Sequence, residues 1–232
     1  MKCDLHIHTC LSPCADITMV PGEVLKRAPD VVAICDHNIG GNVRSFRDVF
    51  QRCGKLVVPG IEVQTIEDVH ILGYFFDILS LETFSLIVKK HLPKVNYDPE
   101  RFGYQLYVNE KDEFTGVEET PLGFPTDLSL EKVISLILKF EGIPVYAHIG
   151  RKFGILYQLG VFPRLSVNIC EVTNKEELDI ARKNGFVAIS SSDAHFLEQI
   201  GERYSIIDCE IKTVKSVLLS IVEGKVKTIW DF

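Results

Sequence analysis

Short apolar segments that alternate with helical segments constrain this fold more than any other feature of the sequence. The segment Val31–Cys35 is continuously apolar, which is typical of a strand that is buried on both faces. Further strands are predicted at residues 2–7, 56–62, 69–76, 143–147, 165–171, 186–189, 204–208 and 226–229. Helices are predicted at 21–28, 42–53, 83–91, 129–141, 175–184 and 213–222. This alternation predicts an α/β fold with a mainly parallel sheet, and the strand number suits a closed or nearly closed barrel.

One connection in this pattern is too short for a parallel crossover. Only a few residues separate Glu62 from His70, whereas a parallel crossover needs a dozen or more. We therefore expect the third and fourth strands to form a hairpin. Such a hairpin places Glu62, at the end of one strand, beside His70, at the start of the next.

The chain length favours a single domain over residues 1–232, because single barrels commonly reach this size. One segment, residues 92–127, is polar, contains Gly, Pro and Asn, and shows weak periodicity. A structureless loop of that length is unusual in a compact domain. We therefore expect it to be a functional insertion or a small subdomain.

Charge and cysteine usage exclude some classes of protein. The net charge of -7 disfavours a large nucleic-acid surface, although bound cations would change the local field. The seven cysteines are scattered and odd in number, which argues against a disulfide framework and for a reducing compartment. No secretory signal precedes the first predicted strand, and no apolar run reaches the roughly 18 residues of a membrane span. These features predict a cytoplasmic protein that does not enter a membrane.

Six of the seven histidines lie at the ends of predicted strands, and only His91 does not. Two of them are two residues apart on one strand, so their imidazoles share a face at the spacing that a chelate needs. The carboxyl ends of barrel strands meet at one rim, where the functional sites of such barrels lie. The six histidines are His6, His8, His37, His70, His148 and His195.

Three carboxylates, Glu62, Asp193 and Asp16, are expected at the same rim. Together with the histidines they exceed the ligands that one ion uses, so two or three divalent ions are implied. A histidine-rich site with bridging carboxylates suits Zn, Mn or Fe. Clustered ions of this kind bind an anionic substrate, lower the pKa of a bridging water to form hydroxide, and neutralise the charge that develops during attack.

The motifs that carry these residues resemble those of the PHP (polymerase and histidinol phosphatase) superfamily. The similar segments occur in the superfamily's order and extend over nearly the whole chain. They are Asp4–Thr9, Cys35–Asn38, Gly60–Glu62 with His70, Ala147–His148 and Ser192–His195. The resemblance implies a distorted (β/α)7 TIM-like barrel, a trinuclear metal site at the C-terminal ends of the strands, and hydrolysis of phosphoesters.

The resemblance also implies how the ligands divide among three ions. The first ion would be held by His6, His8, Glu62 and Asp193. Glu62 would bridge to a second ion, which His70 and His148 also hold. The third ion would be held by Asp16, His37 and His195. The loop from Cys10 to Asp16 departs from the commoner pattern of the superfamily. Cys14 could replace Asp16, because thiolate is a good zinc ligand, but a role in the core or the loop is the favoured interpretation of Cys14.

Four further residues lie near the predicted site, and three of them have two interpretations each. Arg151 resembles an arginine that contacts the substrate phosphate in some PHP proteins, and a guanidinium fits phosphate bidentately; the alternative is a surface salt bridge. Asp4 and Asp36 are placed to orient ligand histidines, or else make ordinary hydrogen bonds at strand ends. Glu171 ends a strand near the rim, and we expect it to be structural.

The resulting hypothesis is a metal-dependent phosphoesterase that hydrolyses a small phosphomonoester by means of metal-bridging hydroxide. One alternative is a nuclease or a nucleotide or nucleoside-bisphosphate phosphatase, with Arg101 and Lys111 of the insertion lining a channel. Another alternative is a metal-binding regulatory module without turnover. The sequence leaves the substrate, the metal identity and the oligomeric state open.

Overall fold

The computed structural model describes residues 1–232 and confirms the predicted α/β fold. The strands are β1 (Lys2–Ile7), β2 (Val31–Ile34), β3 (Leu56–Gln64), β4 (His70–Tyr74), β5 (Leu106–Val108), β6 (Phe114–Val117), β7 (Ile143–Tyr146), β8 (Ile169–Glu171), β9 (Val187–Ile189), β10 (Ser205–Ile207) and β11 (Val226–Thr228). The helices are α1 (Pro21–Arg27), α2 (Val43–Arg52), α3 (Ile78–Lys89), α4 (Pro99–Phe102), α5 (Leu130–Lys139), α6 (Ile155–Leu159), α7 (Lys175–Lys183) and α8 (Val214–Val222). None of the helices combines the length and hydrophobicity that crossing a bilayer requires.

Nine strands form one mixed sheet in the order β11-β10-β1-β2-β3-β4-β7-β8-β9. The sheet is less parallel than expected, because β4 runs antiparallel to both of its neighbours and β10 antiparallel to β1. The predicted hairpin between the third and fourth strands is confirmed, with Gln64 paired to His70. Since β4 runs in the opposite direction, its first residue lies at the rim where the parallel strands end.

The sheet curls into a nearly closed barrel. At the rim, Ile7 forms a parallel bridge with Ala194, and the His8 N–H donates to the Ala194 carbonyl at 2.9 Å. Toward the other end of β1, Lys2 pairs with Ile206 of β10. The segment that follows β9 therefore joins β1 at the rim, while the β10–β11 hairpin fills the remaining gap below it.

Alternation along the strands divides the apolar core into two layers. In β2, Ala33 belongs to one buried cluster and Val32 to the other, as the two-residue period of a strand requires. The inner cluster, which contains Ala33, consists of side chains on one face of the strands and of residues from α8. The outer cluster, which contains Val32, lies between the other face of the strands and the remaining helices. Glu62 continues the inner face of Val58, and Glu171 continues that of Ile169. The apolar interior thus ends in a polar layer at the rim.

The predicted insertion at 92–127 contains α4 and the two-stranded sheet β5–β6. Side chains from the barrel bind its backbone. The Asn42 amide donates to the Leu106 carbonyl and its oxygen accepts from the Val108 N–H, both at 3.1 Å. The Asn38 amide donates to the Leu122 carbonyl at 2.8 Å. These contacts hold the segment beside the rim, above the end of β2.

Candidate metal centre

The Glu62 carboxylate lies at the middle of a cluster of histidines. Its Oε1 is 2.9 Å from His70 Nδ1 and 3.1 Å from His148 Nε2. Its Oε2 is 3.1 Å from His37 Nδ1 and 3.4 Å from His8 Nε2. Only 1% of Glu62 is exposed. Strand ends that are distant in sequence therefore converge on one buried carboxylate, as the positions of the histidines predicted.

Asp193 completes a second group with the paired histidines of β1. Its Oδ1 is 3.2 Å from His8 Nε2 and 3.5 Å from His6 Nε2. The two imidazole Nε2 atoms are 3.2 Å apart. Since Glu62 Oε1 also lies 3.5 Å from His6 Nε2, the His6 and His8 pair faces two carboxylates. This arrangement matches the donor set that the resemblance implied for the first ion.

A third group of donor atoms comes from His8, His37 and His195, which lie within 4.8 Å of one another. His195 Nδ1 is 2.9 Å from the Asp193 carbonyl oxygen. A carbonyl only accepts, so Nδ1 donates to it and Nε2 is the ring nitrogen left to face an ion. This orientation suits a metal ligand.

The structure does not bring Asp16 into this third group. Its carboxylate accepts hydrogen bonds from the Thr18 N–H at 2.8 Å and the Thr18 hydroxyl at 2.6 Å. Those two bonds lower the pKa of Asp16 and hold its side chain in a local turn. The residue of this loop that lines the cavity together with His37 is Cys14.

Glu171 has a role that sequence analysis missed. Its buried Oε2 is 3.0 Å from His6 Nδ1 and accepts the His148 N–H, also at 3.0 Å. It therefore fixes the ring orientation of one candidate ligand and the backbone of another. Its position in the sequence could have indicated this role. Glu171 ends β8 and lies on the same inner face of the sheet as Glu62 of β3.

Asp36 orients His8 through a hydroxyl. The carboxylate accepts from the Thr9 N–H and from Ser12 Oγ, each at 2.7 Å. Ser12 Oγ in turn lies 2.9 Å from His8 Nδ1. Because this contact engages Nδ1, it leaves Nε2 of His8 directed toward the carboxylates. The structure thus favours the orienting role over ordinary hydrogen bonding at a strand end.

Asp4 positions the loop that carries Asp193 and His195. Its carboxylate accepts from the Ser192 N–H at 2.9 Å, the Ser192 hydroxyl at 2.6 Å and the Gly201 N–H at 2.9 Å. Asp4 therefore acts on the backbone of this loop and has no direct bond to a histidine ring. The loop stays fixed against β1 even though it lies outside the regular strands.

Three non-glycine residues at the rim have left-handed backbone. The φ angles are +57° at Asn38, +24° at His148 and +54° at Asp193. Such conformations cost on the order of 1–3 kcal/mol each and cluster at functional sites, where the surrounding structure enforces them. At the rim they turn the chain abruptly after β2, β7 and β9, so that side chains beyond the strand ends still point inward.

Arg151 lies at the mouth of the cluster. Its Nη1 is 3.0 Å from Asp193 Oδ2, and 49% of the side chain is exposed. The sequence left open a surface salt bridge or a contact with substrate phosphate. Arg151 does form a salt bridge, but its partner is the candidate metal ligand Asp193. The exposed guanidinium is within reach of an anion that enters from solvent.

The donors of this cluster fit divalent metal ions. Glu62 Oε2, His70 Nε2 and His148 Nδ1 are buried without a hydrogen-bond partner, which is costly for polar atoms. Burial opposes ionisation of Glu62, yet the surrounding histidines lower its pKa well below the usual value. Burial lowers the pKa of His70 to about 4, although Glu62 favours its protonated form. Burial opposes the charged form of His6 and His37, yet the acidic groups around them raise the pKa of both rings well above the usual value, so a divalent ion that binds them would displace their protons.

A cavity of about 240 Å³ adjoins the cluster. Its walls include His37 and His70 on one side and aromatic rings on the other. The aromatic residues are Tyr97, Phe102, Phe124 and Phe153. Phe153 stacks on the His70 ring with centroids 4.7 Å apart. The first three belong to the insertion, so the segment 92–127 roofs the cavity beside the candidate ligands.

Comparisons with known proteins agree with this architecture. A family model described as PHP-associated matches residues 172–226. The lesion-specific endonuclease PfuEndoQ from Pyrococcus furiosus has a similar structure, with a TM-score of 0.70 at 15% sequence identity. That match covers 98% of this chain, which spans only 57% of the endonuclease. No curated protein sequence matches the chain significantly.

Two other solved structures share the fold over nearly the whole chain. The first is a two-domain protein from Bacteroides vulgatus that contains a predicted PHP-like metal-dependent phosphoesterase. Its TM-score is 0.62 at 13% sequence identity, and the match covers 98% of this chain and 64% of the Bacteroides chain. An amidohydrolase from Chromobacterium violaceum with bound sulfate has a TM-score of 0.63 at 18% identity and covers 98% of both chains. The protein therefore has the fold of PHP-like metal-dependent phosphoesterases, which confirms the fold that the motif resemblance implied.

Proposed function

We propose that the protein is a metal-dependent phosphoesterase that hydrolyses a small phosphomonoester at the rim of the barrel. The observation that carries this proposal is the buried Glu62 carboxylate, which faces histidines from separate strand ends and has one oxygen without a hydrogen bond. Such a set of donors is expensive to bury unless cations complete it.

The donors divide among two or three divalent ions of Zn, Mn or Fe. One group is His6, His8, Glu62 and Asp193; a second is Glu62, His70 and His148; a third contains His37 and His195. When bound, ions of this kind neutralise the phosphate, lower the pKa of coordinated water and stabilise the leaving oxygen.

The residues of the chain orient the reaction. Glu171 and the Asp36–Ser12 pair hold the rings of His6 and His8, which limits the donor set to one geometry. Arg151 can exchange its bond to Asp193 for a bidentate bond to phosphate oxygens, because half of the side chain is exposed. Its guanidinium would then align the phosphate with the buried cluster and hold it there during attack.

The neighbouring cavity supports a small substrate. Its volume of about 240 Å³ suits the alcohol portion of a small ester better than a folded polymer. Its aromatic walls offer an apolar surface for that portion and help exclude water from the site. The net charge of -7 also disfavours a long nucleic-acid footprint.

A second candidate is a nuclease, or a phosphatase that acts on nucleotides or nucleoside bisphosphates. The structural similarity to the lesion-specific endonuclease favours it, although this chain spans 57% of that protein. Aromatic side chains in the cavity would also accept a base by stacking. A metal-binding regulatory module without turnover is the third candidate.

A phosphoester panel distinguishes these candidates. Metal-stripped protein is reconstituted separately with Zn, Mn and Fe and assayed on p-nitrophenyl phosphate, histidinol phosphate, mononucleotides, nucleoside bisphosphates and oligonucleotides. We expect metal-dependent release of phosphate from a small ester. Cleavage of oligonucleotides alone would replace the proposal with the nuclease, and inactivity of fully loaded protein on every substrate would favour the regulatory module.

A further inference from the structure

We propose that Cys14, and not Asp16, completes a mixed sulfur and nitrogen metal site with His37 and His195. The proposal rests on the proposed metal-dependent function, since it adds a ligand to the same centre. The third ion, beside His37 and His195, would then have a thiolate ligand in addition to nitrogen ligands.

The positions of the donors carry this inference. The donor atoms of His8, His37 and His195 lie within 4.8 Å of one another. The Cys14 side chain lines the same cavity as His37, and the Asp16 N–H, two residues further along, donates to the His195 carbonyl at 2.8 Å. The loop therefore carries Cys14 next to both histidines, whereas the Asp16 carboxylate is bonded to Thr18.

The conformation of the loop explains why residue 14 faces the site and residue 16 does not. Ser12 is fixed by its bond to Asp36, and the Ala15 N–H closes a turn on the Ser12 carbonyl at 3.0 Å. The Asp16 N–H then donates to the His195 carbonyl at 2.8 Å. The loop is thus anchored on both sides of Cys14, directly against the segment that carries His195.

The histidines are prepared to share an ion with the sulfur. His195 uses Nδ1 for the Asp193 carbonyl, and His37 Nδ1 lies 3.1 Å from Glu62 Oε2. The Asp193 carbonyl therefore turns Nε2 of His195 toward another partner, as oxygen atoms beyond the ligands commonly do for metal-binding imidazoles. His37 Nδ1 makes no hydrogen bond to Glu62 Oε2, so this contact leaves the His37 ring free to meet an ion.

Cys14 also differs in position from the buried cysteines of the chain. It is exposed at the cavity that His37 lines, whereas Cys3 and Cys10 are buried in the apolar core. On binding a divalent ion, Cys14 would form an S–metal bond and release its thiol proton to solvent, with no change in oxidation state.

The class of ion follows from the donor set. Thiolate and imidazole favour borderline and soft divalent ions such as Zn, Fe, Co or Cd over Mg or Mn. The outermost ion should therefore show a stronger preference for zinc over manganese than the ions bound by carboxylate and imidazole alone. This predicts mixed occupancy when both metals are supplied.

Cobalt provides a direct test, because thiolate ligation gives a charge-transfer absorption in the near ultraviolet. The wild type, Cys14→Ser, Asp16→Asn and Cys53→Ser are loaded with Co²⁺, and their spectra and metal content are measured. Cys53 is an exposed cysteine at the end of α2 and serves as the matched control. We expect Cys14→Ser alone to lose the absorption and to retain about one ion fewer per chain.

Either of two results would overturn the proposal: an unchanged spectrum in Cys14→Ser, or loss of an ion from Asp16→Asn. Should Cys14→Ser fail to fold, alkylation of the wild-type protein tests whether Cys14 is a metal ligand. Bound zinc should protect Cys14 from iodoacetamide and leave Cys53 reactive, and equal alkylation with and without zinc would contradict thiolate ligation. These readouts do not involve turnover, so they are independent of whether the protein hydrolyses phosphoesters.

Discussion

The candidate centre has an inner and an outer part that differ in how the chain builds them. The inner part is almost fully buried and consists of Glu62, His70 and His6 on strands and of His148, two residues beyond the end of β7. The outer part, Cys14, His37 and His195, lies on the segments that follow β1, β2 and β9, and 21% of the His195 side chain is exposed. Strand register fixes three of the four inner donors, whereas hydrogen-bonded loops fix the outer ones.

This difference has a consequence for metal exchange. The inner donors are the more deeply buried, although His70 also lines the cavity, and Glu171 restrains two of these candidate ligands. An ion held by the outer donors would lie closer to solvent, because Cys14 is exposed and His195 is partly exposed. We therefore expect the outer ion to leave first under a mild chelator, and the inner part to supply most of the catalytic effect.

The largest effect is predicted for Glu62→Gln, which removes the charge shared by the two inner groups. We expect activity to fall by at least about a thousandfold, because the substitution removes both an ion-binding carboxylate and its charge. Metal content, measured by mass spectrometry on the same sample, should fall as well. Glu110→Gln, on the exposed hairpin turn of the insertion, is the matched control; full activity of Glu62→Gln would contradict the central role of this carboxylate.

A smaller loss is expected for Glu171→Gln, which leaves every candidate ligand in place. The neutral amide is a weaker acceptor for His6 Nδ1 and the His148 N–H, so metal affinity or activity should fall by about 10–100-fold. Zinc titration against a competing chelator measures the affinity. Glu176→Gln, exposed on α7, should have the same zinc affinity as the wild type. Equal zinc affinity of the two variants would show that Glu171 does not position the candidate ligands.

Arg151→Lys tests the entrance to the centre without touching the inner donors. Lysine keeps the charge but cannot bind phosphate bidentately, so KM should rise by about tenfold while metal content stays constant. Arg164→Lys, at an exposed position, is the control. If metal content falls along with activity, Arg151 acts by positioning Asp193 and has no role at the phosphate.

The smallest effect is expected at the cavity roof. Phe124→Ala removes one aromatic wall, so KM for esters with a bulky alcohol should rise by about fivefold, from a loss of about 1 kcal/mol of apolar contact. KM for methyl phosphate should not change. A uniform change across both kinds of ester would show that the ring supports the fold of the insertion and does not contact substrate.

Sequence reasoning predicted the inner part of the centre better than the outer part. The end of β3 with Glu62 and the start of β4 with His70 followed from strand periodicity and a connection too short for a crossover. These are local properties that a single sequence displays. The same reasoning gave the α/β class but overestimated how parallel the sheet is, because short apolar segments carry no sign of strand direction.

The outer part depended on contacts that sequence does not display. Whether Asp16 or Cys14 faces His195 is decided by a turn at Ser12 and by one backbone bond to the His195 carbonyl. Glu171 was expected to be structural, and its contact with His6, which is 165 residues away in the chain, is not visible in the sequence. Periodicity shows that a carboxylate is buried at a strand end, but the partner across the barrel follows only from the closed fold.

Anomalous diffraction from crystals of the zinc-reconstituted protein would locate the ions of the centre. We expect anomalous peaks within bonding distance of Glu62, with at least one shared between Glu62 and the His70 and His148 pair, and a further peak beside His37 and His195. A protein with no anomalous peak in contact with Glu62 would contradict a metal centre at the rim.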